Sequence, residues 1–442
     1  MVRSIREIRR DPLSFLNRMY AQFGDVVQFP IPDPPTYLVS DPEIARRILV
    51  TNARAYGKRT IQYTTLSLVT GEGLLTADTD VWRGQRRRLQ PAFHHSTLEF
   101  IADHVRTSSD RLLARWSAVD GAIVDVDEAM MHLALEVVGK SLFGADLAGD
   151  AARLAQATVE ALDVVVKKAR SPLSPPLRVP TPANIALRKA IADLDSAVDA
   201  MLADRAKRPL ARDESPRDML DLLLARDDDG RVMPRDEIRN QVITFIVAGH
   251  ETVASALTWA WQLLVAHPDS WNRLRAEALP IVEGGGPHFT DLGALPYTAA
   301  VIDEVLRLYP PAWLITRRSH EDDVLGGIEV KAGSLLIVSP WLVHRHTSIW
   351  DRPHQFIPER FLDQDGQRRR DVINGSGYIP FGAGPRLCIG RDMALVEAIL
   401  VLASIAPRVD MTRVGATPAA MPMVTIRPQG GLPMRVTVKP VP

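Results

Sequence analysis

From Gln241 to Ala266 the chain reads QVITFIVAGHETVASALTWAWQLLVA, apolar around nearly every turn of a helix and interrupted only at its centre by His250, Glu251 and Thr252. A helix apolar on all sides belongs in a bilayer or in the core of a large protein. Ionisable groups at its midpoint are expensive in lipid, so a buried core helix is predicted. A 3.6-residue period predicts further helices over 97–119, 128–144 and about 184–207. Asp11-Pro12 and Asp41-Pro42 each place a capping carboxylate before a proline at the first helical position, and Gly24 suits the end of the first of these helices. DVVQF and TYLVS predict short strands about the turn PIPDPP, KKARSPLSPPLRVPTP a proline-broken loop, and ARDDDGRVMP a charged turn into the long helix. From VLGGIEVKAGSLLIVSP onward strands with glycine turns take over, until a last helix begins near Cys388. The C-terminal MVTIRPQGGLPMRVTV predicts a hairpin turning at Gly430-Gly431. The pattern is mainly α with a small β-rich lobe.

Length alone, 442 residues, suggests about three domains. No shift of composition, repeat or low-complexity segment marks a boundary, so one unit over 1–442 is expected. Fifty-three basic and 53 acidic residues cancel, which gives no global pull towards nucleic acid. The charged N-terminus MVRSIREIRRDPLSF predicts neither a signal peptide nor a membrane anchor. A single cysteine excludes an internal disulfide and fits a reducing, cytoplasmic compartment.

That cysteine, Cys388, stands in FGAGPRLCIGRDMAL, between glycines and ahead of a convincing helix. Free N–H groups and the helix dipole favour a thiolate there. Gly382, Gly384 and Gly390 would let the backbone pass close to something flat and large, and a covering metal would protect the thiolate from oxidation. Taken alone, Cys388 reads better as a small buried core residue. In DEVLRLYPP, Glu304 and Arg307 share one helix face among apolar neighbours, so a buried pair needing further partners is expected; Arg360 of IPERF is the candidate third member. In AGHET, Thr252 can bond back to the carbonyl of Ala248, Gly249 tolerates the resulting distortion, and Glu251 adds an ionisable group. The alternative is an incidental polar turn.

Together these stretches resemble one family. FGAGPRLCIG is similar to the Phe-x-x-Gly-x-Arg-x-Cys-x-Gly signature of the cytochrome P-450 haem-thiolate monooxygenases, and EVLR, IPERF, AGHET and WRGQR (Trp82 to Arg86) resemble further motifs of that family, in its order and across essentially the whole chain. The resemblance implies the cytochrome P-450 fold and haem b, iron protoporphyrin IX, with Cys388 as axial ligand of the haem iron, a thiolate whose electron donation favours O–O cleavage. Phe381 would pack by the sulfur, and Gly382, Gly390, Ala248 and Gly249 would lie against the cofactor. Trp82, Arg86, Arg317 and Arg386 match propionate-binding positions, with Arg318 an alternative to Arg317. Thr252 and Glu251 resemble the groups that hold and protonate dioxygen. Glu304, Arg307 and Arg360 would be structural.

The implied reaction places one atom of O2 in a lipophilic small molecule, a terpenoid, steroid-like ring or fatty acid, by hydroxylation or epoxidation. Pro311, Ala312, Trp313, Leu314, Met423 and Val424 would line its pocket, within the stretches 61–75, 243–248, 311–315 and 421–424. EGGGPH lacks the strand–helix context of a dinucleotide site, and one cysteine cannot hold an iron–sulfur cluster. Electrons are therefore expected from a separate ferredoxin or flavodoxin with its reductase, to a monomeric enzyme without a fused reductase. Arg83, Arg87 and Arg88 offer either a docking patch for such an acidic partner or a solvated helix face. His344 and His346, without further ligands, are expected at the surface rather than on a metal. The rival readings are a peroxide-driven or rearranging enzyme on the same fold, a haem-binding sensor without turnover, and, more remotely, a cysteine-nucleophile hydrolase.

Overall fold

The computed structural model describes residues 7–439, apart from 9, 32, 146–150, 170–174, 211–215 and 227–229. The extreme N-terminus, the centre of the proline-broken loop and the acidic run of the charged turn thus lie outside the described residues. In chain order come α1 (Pro12–Phe23), β1 (Val26–Phe29), β2 (Thr36–Val39), α2 (Pro42–Arg46, extended by a π turn over Arg47–Thr51), β3 (Tyr56–Gly57), α3 (Ile61–Thr70), α4 (Thr79–Leu89) and α5 (His95–Ser117). Then follow β4 (Ile123–Asp125), α6 (Val126–Phe143), α7 (Ala151–Ala169), α8 (Pro182–Ala206), α9 (Met219–Leu224), α10 (Arg235–Ala266), α11 (Pro268–Glu283) and α12 (Pro296–Leu308). The last third holds β5 (Ile315–Ser319), β6 (Asp323–Leu325), β7 (Ile328–Val330), β8 (Leu335–Val338), α13 (Pro340–Val343), α14 (Arg370–Ile373), α15 (Arg391–Ile405), β9 (Val409–Arg413), β10 (Ala420–Pro422), β11 (Ile426–Pro428) and β12 (Pro433–Val438).

The capping expectations correspond to bonds. Asp11 accepts from the N–H of Ser14, Asp41 from that of Ile44, and Gly24 ends α1 at φ +86°. Helix α10 is 32 residues, about 48 Å at 1.5 Å per residue. Among the described residues it is the helix long and apolar enough to cross a bilayer, but 83% of its most apolar window is buried in protein, as a core helix should be. It packs most extensively on α6, where Gly249 lets the backbones approach: a Cβ there would sit 2.7 Å from Val138 Cγ2. On the other side lie α12 and α15. Trp259 stacks on Tyr309 with ring centroids 3.9 Å apart.

Five strands form one sheet in the order β1-β2-β8-β5-β3, antiparallel except for the β2–β8 pair. The C-terminal hairpin expected about Gly430-Gly431 is not formed. Strand β11 pairs back with β10, whereas β12 joins β4 and β9 in a separate sheet. The glycine turn carries the chain from one sheet to the other. Asp125 draws it across by accepting from the N–H of Leu432 at 2.9 Å, and Val126 N–H donates to the Leu432 carbonyl at 3.0 Å. A side chain on Gly431 would collide with that carboxylate.

Candidate active site

A cavity of about 320 Å3 lies between α10 and the Cys388 loop, closed at the sides by α3, α4 and the segment after α12. It falls within the usual size of ligand pockets. Its floor is the loop before α15. Cys388 N–H donates to the Phe381 carbonyl at 3.0 Å and Leu387 N–H to that of Gly384 at 3.0 Å, which folds FGAGPRLC back on itself. Gly384 is required for a reason the sequence did not suggest: at φ +69°, a Cβ would lie 2.0 Å from the carbonyl oxygen of Leu49. The glycine seats the loop on the π turn after α2. Cys388 has open surface, but that surface faces the cavity, and protein encloses the thiol otherwise. Burial pushes its pKa up, opposed by the N–H of Gly390 and then by Arg86 and Arg391. A cation bound at the sulfur would reverse that balance.

Around one edge of the cavity stand four basic side chains. Arg386 donates to the Ala77 carbonyl (2.9 Å) and to Asp78 (2.6 Å) and covers the Trp82 ring at 4.4 Å. Burial lowers it to about 10. Arg86 donates to the Leu387 carbonyl at 2.8 Å, tying α4 to the Cys388 loop. Arg317 is buried and donates to the carbonyl of its neighbour Thr316. Strand alternation turns Arg318 outward, so of these two arginines Arg317 meets the cavity. Lys58 was not singled out by sequence reasoning. It is buried, donates to the Leu75 carbonyl at 2.7 Å and lies over Tyr63. Burial, then Arg317 and Arg386, holds its amine well below the ordinary lysine value. Among the described residues Asp78 is the carboxylate paired with this group. Four buried or half-buried bases against one acid are expensive unless an anion completes them. Together with a thiol on the floor, they fit a flat group carrying two carboxylates and a metal, as iron protoporphyrin does.

The ceiling is the middle of α10. Ala248, Gly249, Glu251 and Thr252 all line the cavity, and helical bonding continues through them. Thr252 Oγ donates to the Ala248 carbonyl at 2.7 Å. Glu251 is buried and accepts from Thr425 Oγ at 2.9 Å. His250 turns away from the cavity lining and donates from Nδ1 to the Ile246 carbonyl at 2.9 Å. A second acid was missed: Glu397 of α15 lines the cavity, fully buried, with neither carboxyl oxygen partnered by protein. Burial pushes it well above the carboxylate range.

Of the expected pocket residues, Pro311, Ala312, Leu314 and Val424 line the cavity, but Trp313 and Met423 do not. A buried indole needs an acceptor for its N–H. Trp313 finds it in the Met423 carbonyl at 3.0 Å, and the pair closes the wall from behind. Leu66, Val138, Phe245 and Ile302 also line the cavity, a mostly apolar interior.

Beneath the floor, Glu304 and Arg307 are both fully buried and joined by bonds of 2.6 and 2.8 Å. Arg307 also donates to the carbonyls of His344, Pro353 and Gln355. Arg360 reaches Glu304 at 3.3 Å and the Arg352 carbonyl at 2.7 Å. His344 and His346, expected at the surface, are buried. His344 bridges the Arg307 carbonyl and the N–H of Ile379 (2.8 Å), and His346 bonds Asp25 at 3.0 Å. Of the basic run on α4, Arg88 is spent on the Leu223 and Ala225 carbonyls of the α9 segment, Arg83 pairs with Asp80, and Arg87 is exposed.

Comparison with known proteins agrees with this geometry. A family model described as Cytochrome P450 matches residues 2–414. The chain is 36% identical to cyclooctatin synthase of Streptomyces melanosporofaciens, over 98% of this chain and 92% of that protein. It is 35% identical to pentalenene oxygenase of Streptomyces avermitilis, over 90% and 86%. A P450 crystal structure from Thermus thermophilus superposes with a TM-score of 0.80 at 30% identity, covering 98% of this chain and 97% of that one. The chain is therefore a haem-dependent monooxygenase and a member of the cytochrome P450 family.

Proposed function

We propose that this enzyme oxygenates a cyclic terpenoid, using electrons from a separate ferredoxin or flavodoxin. The observation that carries the reading is one cavity with three unlike walls: a thiol floor, a cationic edge and an apolar interior under Thr252. Cys388 would bind the haem iron, and Lys58, Arg317, Arg386 and Arg86, with Trp82, would take the propionates. Phe381, Gly382 and Gly390 below, and Ala248 and Gly249 above, leave room for the ring. Haem held there supplies the reductive activation of O2. The protein's part is to exclude water, to hold substrate against Pro311, Ala312, Leu314 and Val424, and to deliver protons through Thr252 and Glu251. Relatives named for cyclooctatin and pentalenene support a terpenoid, as does the apolar lining. Arg83 and Arg87 on α4 are the docking points for an acidic electron donor. The chain works as one catalytic unit, a monomer in the cytoplasm.

The test has two arms. Ferrous protein treated with carbon monoxide should show the red-displaced Soret band of thiolate ligation, and Cys388→Ser should abolish it. Cyclic terpenes titrated into the ferric protein should shift its spin state and give monooxygenated product with a surrogate ferredoxin system. An unchanged band in Cys388→Ser overturns the ligand assignment. A spin shift with fatty acids alone overturns the substrate class.

A further inference from the structure

The residue before β11 and the strand itself fasten this edge of the β10–β11 hairpin to α10 by three consecutive residues. Thr425 Oγ donates to Glu251 Oε2 at 2.9 Å. The Ile426 carbonyl accepts from Ser255 Oγ at 2.6 Å and from the Trp259 indole at 2.9 Å. Arg427 places Nη1 3.5 Å from Glu251 Oε1 and donates from Nη2 to Asp127 Oδ2 at 2.5 Å. Asp127, in the first turn of α6, also accepts from Thr258 Oγ of α10 at 3.1 Å. Residues 251, 255 and 258–259 recur at helical spacing, so one face of α10 reads the hairpin edge. Both oxygens of Glu251 are thereby turned to the hairpin, while the Thr252 hydroxyl is committed to Ala248.

We infer that Thr425 and Arg427 are positioning residues for Glu251, and that their hold on its carboxyl governs how often a proton reaches the dioxygen site. The inference rests on the reading of Glu251 as proton donor. Glu251 must leave its two partners to face the cavity. Facing the cavity it would pass a proton taken up from solvent towards the dioxygen site beside Thr252, and it would then return to Arg427 and Thr425. The reducing electrons come from the redox partner. Val424 and Thr425 also line the cavity, so a substrate seated against Val424 touches the segment that holds the acid.

The experiment compares Thr425→Val, Arg427→Gln, Arg427→Lys and Glu251→Gln as haem-loaded enzymes on a terpene that gives product. Thr425→Val keeps its shape and loses only the hydroxyl, so it decides the matter if Arg427→Gln does not fold. Thr425→Val and Arg427→Gln should keep the ferrous–CO band and the substrate spin shift. The ratio of hydrogen peroxide to product should rise by about tenfold, the scale of one hydrogen bond to a charged group, and the solvent isotope effect on turnover should change with it. Arg427→Lys, which also keeps the pair with Asp127, should recover most of the coupling. If Glu251→Gln alters coupling and isotope effect while Thr425→Val does not, the positioning role is overturned and the donor reading stands. If Glu251→Gln alters neither, both fall.

Discussion

Arg307 and Arg317 are ten residues apart and both buried, yet their surroundings are opposite. Arg307 ends every direction in protein: two bonds to Glu304 and three to main-chain carbonyls. Arg317 has the carbonyl of Thr316, a cavity in front of it, and as near neighbours two more bases, Lys58 and Arg386. A buried cation that closes on itself holds a structure together, and one left open awaits a ligand. The same residue type therefore does different work depending on whether its charge is answered within the chain.

The comparison breaks most readily at Glu304. Glu304→Gln leaves Arg307 and Arg360 without their shared anion, and a loss of about 4 kcal/mol is expected in urea unfolding. A loss below about 1 kcal/mol would mean that the closed network is not what stabilises this side. On the open side the seating of the loop matters next. Gly384→Ala forces a Cβ against the Leu49 carbonyl and should cost about 3 kcal/mol, with haem lost on gel filtration. The closed side also carries a pH signature. Burial, then Arg307 and Arg345, lowers His344 from 6.5 to about 3. The unfolded chain takes up that proton first, so stability is full above pH 6.5 and declines as pH falls towards 3. About 2 kcal/mol is expected to be gone at pH 5, seen as a falling thermal midpoint. His344→Gln, though less stable at pH 7.5, should flatten that decline. The smallest effect has the opposite sign. Lys58→Met removes a buried amine crowded by two other bases, so the haem-free protein should gain about 1 kcal/mol while the loaded protein gives up haem faster to an acceptor. A haem-free variant that melts lower than its parent would place Lys58 with the closed group.

What the sequence made legible follows the reach of local physics. Caps at Asp11 and Asp41, the buried helix about His250, and the i,i+3 pairing of Glu304 with Arg307 are decided by neighbours along the chain. Cys388 by itself read as a core residue; only the series of motifs in family order pointed it at a cofactor, and the structure puts it on the cavity floor. Lys58 was not, since nothing in AYGKRT shows that Arg317 and Arg386 will approach it from far along the chain. Trp313 was misplaced because apolar character does not say which way an indole must turn to satisfy its N–H. The choice between Arg317 and Arg318 needed strand register, and the fate of Gly430-Gly431 needed knowledge of Asp125.

That glycine pair has an evolutionary consequence. Because β12 is stapled to β4 and β9, the short β10–β11 unit ahead of it is free of any wider sheet, and a change of residue at its tip has no ladder to propagate through. Val424, which lines the cavity, can therefore be changed without disturbing a ladder, whereas exchanging 420–428 whole would also replace the residues bonded to Glu251, Ser255 and Trp259.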